Sequence, residues 1–254
     1  MKLTLVQNAP RLNRGNLASV VRRLEELGPQ KGEVVVFPEL ALNGYLLQDK
    51  VYEDAWGIDE LSVLAAAGES CDIVIGAALK ANGRTYNAAL YFSRGNLVHV
   101  HRKLHLPNYG MFEEARYFFK GDRIEAFDTV FGRSVMLVCE DLWRAQTMAD
   151  VAALKPEFVY VIANSPARGF EEDGLAIEAQ WDALLKSLAQ LASSYVVFVN
   201  RVGFEDGLGF WGGSRVVTPR GEIERVLPLF EEQIVSVTPD HRLHDVEKWL
   251  AKID

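Results

Sequence analysis

The chain has 254 residues, of which 49% are hydrophobic and 24% charged, enough for one large domain or two small ones with a substantial core either way. Its net charge of −8 at pH 7 and pI near 5.3 argue against a nucleic-acid-binding surface and lend nothing to docking on an anionic membrane. The N-terminal MKLTLVQNAP is too short and polar for a signal peptide, and no apolar stretch approaches the roughly 18 residues of a membrane span.

Residues 2–7 read as a first strand. Leu17, Val20, Val21, Leu24 and Leu27 recur at helical spacing, with Gly28 as C-cap and Pro29 beyond. Glu33 to Phe37 is a buried strand that ends in Pro38-Glu39, and a helix is expected over Asp59 to Ala67. A strand at Asp72 to Leu79 turns at Asn82-Gly83 into Thr85 to Phe92, and Ser93-Arg94-Gly95-Asn96 turns again into Leu97 to Lys103. After the loop His105 to Phe119, strands are expected near Ile124 to Phe127 and at Ser134 to Val138. A helix at Arg144 to Leu154 and a strand at Phe158 to Ile162 follow. Ile177, Trp181, Leu184, Leu185, Leu188 and Leu191 mark the core face of the longest helix. Then come a strand at Tyr195 to Asn200, a Gly-rich loop, strands at Arg215 to Thr218 and Glu222 to Val226, and an irregular tail.

No linker, composition shift or internal repeat divides this series, so residues 1–254 are read as a single domain. Helices alternate with strands at both ends and hairpins lie between, which suits a mixed sheet or two sheets flanked by helices.

Three strand ends carry groups with chemical potential. Cys139 closes the run Ser134 to Val138 and is followed by Glu140 and Asp141. A thiol there is either a small buried hydrophobe or a nucleophile at the rim where open α/β sheets bind ligands. Glu39 follows the Pro that ends its strand, and a carboxylate near apolar surroundings can serve as a general base. Lys103, within His101-Arg102-Lys103-Leu104-His105, can hold an oxyanion. Together they make a set for acyl transfer: Glu39 takes the thiol proton, Cys139 attacks an amide carbonyl, and Lys103 with the Glu140 N–H stabilises the tetrahedral oxyanion.

VFPELALNGY around Glu39, HRKLHLPNYGMFEEARYF around Lys103 and VCEDLW around Cys139 resemble the three signatures of the nitrilase, or carbon–nitrogen hydrolase, superfamily. GFWGGSRVVTPRGEI resembles the late Gly–Ser strand pair of that family, so the resemblance spans almost the whole chain. It implies a four-layer α-β-β-α sandwich (an α/β fold), a cofactor-free cysteine amidohydrolase acting on non-peptide C–N bonds, and a homodimer or higher homo-oligomer. Lys-x-x-Leu-Pro-Asn-Tyr-Gly-x-Phe and Cys-Glu-Asp-x-Trp are most similar to the glutaminase domain of glutamine-dependent NAD synthetase. That similarity implies Glu113 as the second glutamate positioning the lysine, Tyr109 at the amino-acid end of the substrate, and Glu140 and Ser165 as further contacts. The chain ends at Asp254 without a P-loop or room for an ATP-using domain, so free-standing hydrolysis of a small carboxamide, glutamine-like or an omega-amide, is expected. An N-carbamoyl or other aliphatic amidase, and a glutaminase subunit delivering ammonia to a separate synthetase, are the alternatives. Arg168 and Arg201 follow strand ends and are candidates to meet a substrate carboxylate, or plain surface residues.

Other signals carry less. Gly207-Leu208-Gly209-Phe210-Trp211-Gly212 matches a dinucleotide-binding pattern, but a strand rather than a helix comes after it, leaving no seat for a pyrophosphate. His99, His101 and His105 raise a metal site, which Lys103 among them and the lack of a cysteine cluster argue against. A Cys–His hydrolase using His101 or His105 would leave Glu39 without a role. The expectation is therefore no metal and no nucleotide, a small-molecule amide as substrate, no nucleic acid or membrane partner, and a cytoplasmic location. Cys71 and Cys139, two cysteines in all, are expected reduced.

Overall fold

Strands that are apolar on both faces need cover on both faces, and two sheets stacked between helices supply it. The computed structural model describes residues 1–240, 242 and 243. One sheet holds β1 (Lys2–Gln7), β2 (Glu33–Val36), β3 (Asp72–Ala81), β4 (Arg84–Ser93), β5 (Asn96–Arg102) and β16 (Gln233–Val237), in the order β16-β1-β2-β3-β4-β5. The other holds β6 (Phe127–Thr129), β7 (Gly132–Val138), β8 (Phe158–Ala163), β11 (Tyr195–Asn200), β14 (Arg215–Val217) and β15 (Ile223–Val226), in the order β15-β14-β11-β8-β7-β6. In each sheet three strands run parallel, β1-β2-β3 and β7-β8-β11, and the others join antiparallel. Two ribbons, β9 (Phe170–Glu171) with β10 (Gly174–Leu175) and β12 (Val202–Glu205) with β13 (Leu208–Trp211), lie outside the sheets.

The period-2 alternation of strands divides the core into layers. Leu3, Leu5, Val34, Val36, Met136, Val138, Phe158, Tyr160, Ile162, Val197 and Val199 meet between the sheets. The residues between them in sequence face outward. Val35, Ile73 and Ile75 pack under Val20 and Leu24 of α1 (Asn16–Leu27) and Leu64 of α3 (Ser62–Ala67). Val135, Leu137, Val159, Val161 and Phe198 pack under Val151 of α5 (Ala145–Leu154) and Trp181, Leu185 and Leu188 of α6 (Ala176–Ala192). The layers are thus α-β-β-α, as expected. Gly28 caps α1 in the left-handed region at φ 52°, its N–H donating to the Leu24 carbonyl. The short helices α2 (Val51–Asp54) and α4 (Glu114–Tyr117) sit in long connections.

The structure differs from the sequence expectations in several places. The segment expected as a Gly-rich loop after Asn200 is the β12–β13 ribbon, turning at Asp206-Gly207 with φ 48° and 80°. The GxGxxG match therefore spans the end of that turn, all of β13 and Gly212. The expected irregular tail contains β16, which borrows its order from β1, Leu3 opposite Val237. The strand expected near Ile124 is β6, displaced to Phe127–Thr129. Cys139–Trp143 forms a 3-10 turn before α5 begins. The tail beyond residue 243 lies outside the described residues.

The carboxyl ends of β2, β7, β8 and β11 open on one rim, and Glu39 reaches it because β3 carries Gly76. A Cβ at residue 76 would lie 2.3 Å from the Leu40 nitrogen and 2.6 Å from the Glu39 Cα. The close approach is cemented by the Gly76 N–H on the Pro38 carbonyl and the Leu42 N–H on the Gly76 carbonyl, each 3.2 Å. Gly76→Ala should therefore displace the Glu39 turn, destabilising the protein by about 1–3 kcal/mol, as overpacking typically does. Turnover should fall with it. Thermal melting and initial rates check this, and wild-type values in both would contradict the account.

Candidate active site

Glu39, Lys103 and Cys139 arrive from three strand ends, the first two from one sheet and the third from the other. Glu39 and Lys103 are buried to within 1% exposure, at which a lone charge is not tolerated. Lys103 Nζ donates to Glu39 Oε1 at 2.7 Å and to Glu114 Oε1 at 2.7 Å. Asn87 Nδ2 adds a bond to Glu39 Oε1 at 2.7 Å, and the backbone N–H of Asn164 donates to Glu39 Oε2 at 2.6 Å. The Tyr45 hydroxyl donates to Glu114 Oε1 at 2.6 Å. An ammonium has three donors; two are engaged by carboxylates, and one is left for a further oxygen.

The second glutamate is thus Glu114, and the expectation for Glu113 is corrected. Glu113 is exposed at the start of α4, one position out of phase. Glu114, the first residue of that helix, is buried instead, a difference of one position that four helical residues are too few to signal in the sequence. Asn87, a lone amide within the apolar run of β4, was legible as a buried polar group needing partners.

The electrostatics follow from burial and from two carboxylates around one ammonium. Burial alone would lower the Lys103 ammonium, but Glu114 and Glu39 more than reverse this and it stays charged well above the usual range. Burial raises Glu114 to about 7, against the pull of Lys103 and helped by Glu39. Cys139 is half-buried, yet loss of water and the neighbouring Glu39 raise its thiol well above the ordinary value, with Lys103 opposing. Alkylation of Cys139 by iodoacetamide should therefore be slow at neutral pH and keep accelerating above the ordinary thiol pKa of about 8.5. A rate plateau between about pH 5 and 7, the mark of a preformed thiolate, would contradict this.

Cys139 itself stands at φ 43°, a left-handed conformation that costs a residue with a Cβ roughly 1–2 kcal/mol. It lines a cavity of about 100 Å³ with Tyr45, Tyr109, Phe112, Glu114, Glu140, Trp143, Ser165, Arg168 and Trp181. Tyr109, Glu140, Ser165 and Arg168, four of the residues considered as substrate contacts, are on this wall. The Tyr109 hydroxyl donates to Glu140 Oε2 at 2.9 Å, and Arg144 Nη2 donates to Glu140 Oε1 at 2.8 Å. Ser165 Oγ accepts from the indole N–H groups of Trp181 at 2.8 Å and Trp211 at 3.1 Å. With both lone pairs taken, its own hydroxyl proton is the remaining polar handle. Arg168 is exposed at the rim, its guanidinium 5.0 Å over the Phe112 ring. Arg201 is elsewhere: it is buried, pairs with Glu205 at 2.6 Å and donates to the Pro10 carbonyl.

No histidine lines the cavity. The His99 ring stacks on Phe127 with centroids 4.5 Å apart, and His101 Nε2 pairs with Asp141 at 2.8 Å. Among the described residues no three His, Cys, Asp or Glu side chains are disposed to hold a metal.

The model of the carbon–nitrogen hydrolase family matches residues 2–249. The chain belongs to that family. Its relatives include the glutamine-dependent NAD(+) synthetase of Acinetobacter baylyi, 28% identical over 92% of this chain and 43% of that protein. That of Xylella fastidiosa is 32% identical over 87% of this chain and 41% of its own length. The chain thus spans less than half the length of the synthetases it matches. A probable nitrilase of Schizosaccharomyces pombe is 27% identical over 94% of this chain and 88% of its own. Among solved structures, the glutamine-dependent NAD+ synthetase of Acinetobacter baumannii aligns with a TM-score of 0.78 at 27% identity, over 92% of this chain and 44% of that one. A CN-hydrolase superfamily protein of Xanthomonas campestris aligns with a TM-score of 0.84 over 98% of this chain and 94% of its own. At 21% identity the latter is a likeness of fold. No helix among the described residues is long and apolar enough to cross a membrane.

Proposed function

We propose that this carbon–nitrogen hydrolase cleaves the amide of glutamine or a close omega-amide, releasing ammonia through a thioester on Cys139. The observation that carries the reading is the buried Glu39–Lys103 ion pair beside a thiol that opens on a small cavity. Glu39 Oε takes the thiol proton as Sγ attacks the carbonyl carbon, so that a thiolate need not exist at rest. The free N–H of Lys103 and the backbone N–H of Glu140, in the first turn of the 3-10 segment, receive the oxyanion. The C–N bond then breaks as Glu39 returns the proton to the leaving nitrogen. Glu39 next takes a proton from water, whose oxygen attacks the thioester, and the thiol is restored as the acid leaves.

Substrate class rests on the cavity wall. Glu140 uses one lone pair of each oxygen on Tyr109 and Arg144 and keeps others for an α-ammonium. The exposed guanidinium of Arg168 suits an α-carboxylate, and Ser165 can donate alongside it. Glutamine or an omega-amide should therefore exceed propionamide in kcat/KM by at least about tenfold, since one charged hydrogen bond is worth roughly 1.5–3 kcal/mol. An ammonia-release screen over amides, carbamoyl compounds and nitriles tests this. A carbamoyl-amine or propionamide turned over faster would place the chain with the N-carbamoyl or aliphatic amidases.

A second reading is favoured by the match to part of the glutamine-dependent NAD(+) synthetases, in which this chain supplies ammonia to a synthetase. Glutaminase activity of the chain alone separates the two. A free-standing hydrolase is competent by itself, and a delivery subunit is nearly idle until its partner is added.

A further inference from the structure

Lys103 and Cys139 stand on different sheets, β5 and β7, and much of what joins the two sheets is apolar packing without direction. Attack on an amide needs these two groups in a fixed relation. Asp141 has the placement to fix it. Its side chain is fully buried, does not line the cavity, and has both oxygens taken by protein donors, so it acts through other residues. Oδ2 accepts the Val138 N–H at 3.0 Å, and Oδ1 accepts the Leu104 N–H at 2.9 Å and the His105 N–H at 3.0 Å. His101 Nε2 lies 2.8 Å from Oδ2, and an ionised carboxylate only accepts, so this nitrogen carries a proton.

The two oxygens thus serve two chain segments. Through Val138, Asp141 reaches back across Cys139 and closes the turn that holds its unfavourable positive φ. Through Leu104 and His105 it grips the two residues directly after Lys103. Leu104 and His105 lie in a connection without regular structure, which has no ladder of its own to hold it. The several donors, with His101 first among them, hold the carboxyl below its ordinary range despite burial.

We propose that Asp141 is the positioning residue of this site, tying the Cys139 elbow to the Lys103 strand end, with His101 orienting its carboxylate. The inference rests on the proposed thiol chemistry, but its test reads the thiol itself as well as turnover. Asp141→Asn can no longer accept at both oxygens, so the elbow relaxes and the thiol meets water. Turnover and thiol reactivity should then move in opposite directions.

The experiment compares wild type, Asp141→Asn, His101→Gln and His101→Leu well below their melting temperatures. For each it measures kcat and KM for ammonia release, and the rate of iodoacetamide labelling at Cys139 by mass spectrometry. Asp141→Asn should lose at least about 100-fold in kcat with KM within about threefold, the scale of a small misplacement of reacting groups. Its labelling rate should rise at least about tenfold as burial of the thiol is relieved. His101→Gln keeps an N–H for Oδ2 and should retain kcat within about threefold, while His101→Leu should lose more than about tenfold. A lower melting temperature with kcat and labelling unchanged in Asp141→Asn would reduce Asp141 to a structural residue and overturn the proposal. If Asp141→Asn does not fold, the His101 pair decides: equal behaviour of Gln and Leu contradicts it. If wild type releases ammonia from no amide, the function is misread, and labelling alone still decides whether Asp141 holds the elbow.

Discussion

Cys139→Ala should abolish ammonia release, and Cys71→Ala should leave it near the wild-type level. The two thiols differ in place rather than in kind. Cys139 stands at the carboxyl end of β7 on the cavity wall, beside Glu39 and Lys103. Cys71 precedes β3 at the opposite end of its strand and packs into the layer beneath α1 and α3. Burial pushes the Cys71 thiol up to about 12, aided by Glu33 and Asp72. Loss of a nucleophile typically costs about 10⁴–10⁶-fold in kcat, the remainder being binding and oxyanion stabilisation. For Cys71→Ala the cost is in packing, visible as a lower melting temperature. Activity that follows Cys71 rather than Cys139 would end the mechanism.

Glu39→Gln and Lys103→Met should each cost several orders of magnitude, and the double variant little more than the worse single one. The two groups share a hydrogen bond and act on one proton and one oxyanion, so their contributions are not separable. Glu39→Gln is the sharper probe because it keeps the shape and loses only the ability to accept the proton. Retention of more than about a tenth of wild-type kcat would remove Glu39 as base, since general bases contribute about 10²–10⁴-fold. Removing one member of a buried ion pair also destabilises by about 3–5 kcal/mol, so rates count only for protein shown folded by circular dichroism. The same series settles the second glutamate. Glu114→Gln should lower kcat strongly because it keeps an oxygen for Lys103 and Tyr45 but removes the carboxylate charge that holds the Lys103 ammonium, whereas the exposed Glu113→Gln should be close to wild type.

The strands were legible because burial on both faces leaves an unbroken apolar run, as in Val34 to Phe37 and Phe158 to Ala163. Their division into an inter-sheet and an outer layer follows from alternation once two sheets are assumed. Glu39 and Cys139 drew notice by closing apolar runs, and the three motifs resembling the carbon–nitrogen hydrolases joined Lys103 to them. Other parts were not legible, for reasons of physics. The choice between Glu113 and Glu114 turned on one residue of phase in a four-residue helix, too short for periodicity to speak. β16 takes its extended form from a distant partner, Leu3 to Gln7 of β1, whereas the β12–β13 ribbon is a local hairpin about Asp206-Gly207 whose glycines read as a loop. Asp141 read as a neighbour of the nucleophile, and its grip on the Lys103 connection exists only after two sheets have stacked.

The central claim is a covalent one, that the acyl group of an amide passes through Cys139. Its most direct test is rapid acid quench of the enzyme turning over glutamine, followed by intact-mass analysis and peptide mapping. The account predicts a transient adduct of one glutamyl unit, confined to the peptide carrying Cys139 and absent from Cys139→Ala. An electrophilic glutamine analogue should label the same residue once per chain. An adduct on any other side chain would contradict the account, as would undiminished turnover after Cys139 has been fully alkylated.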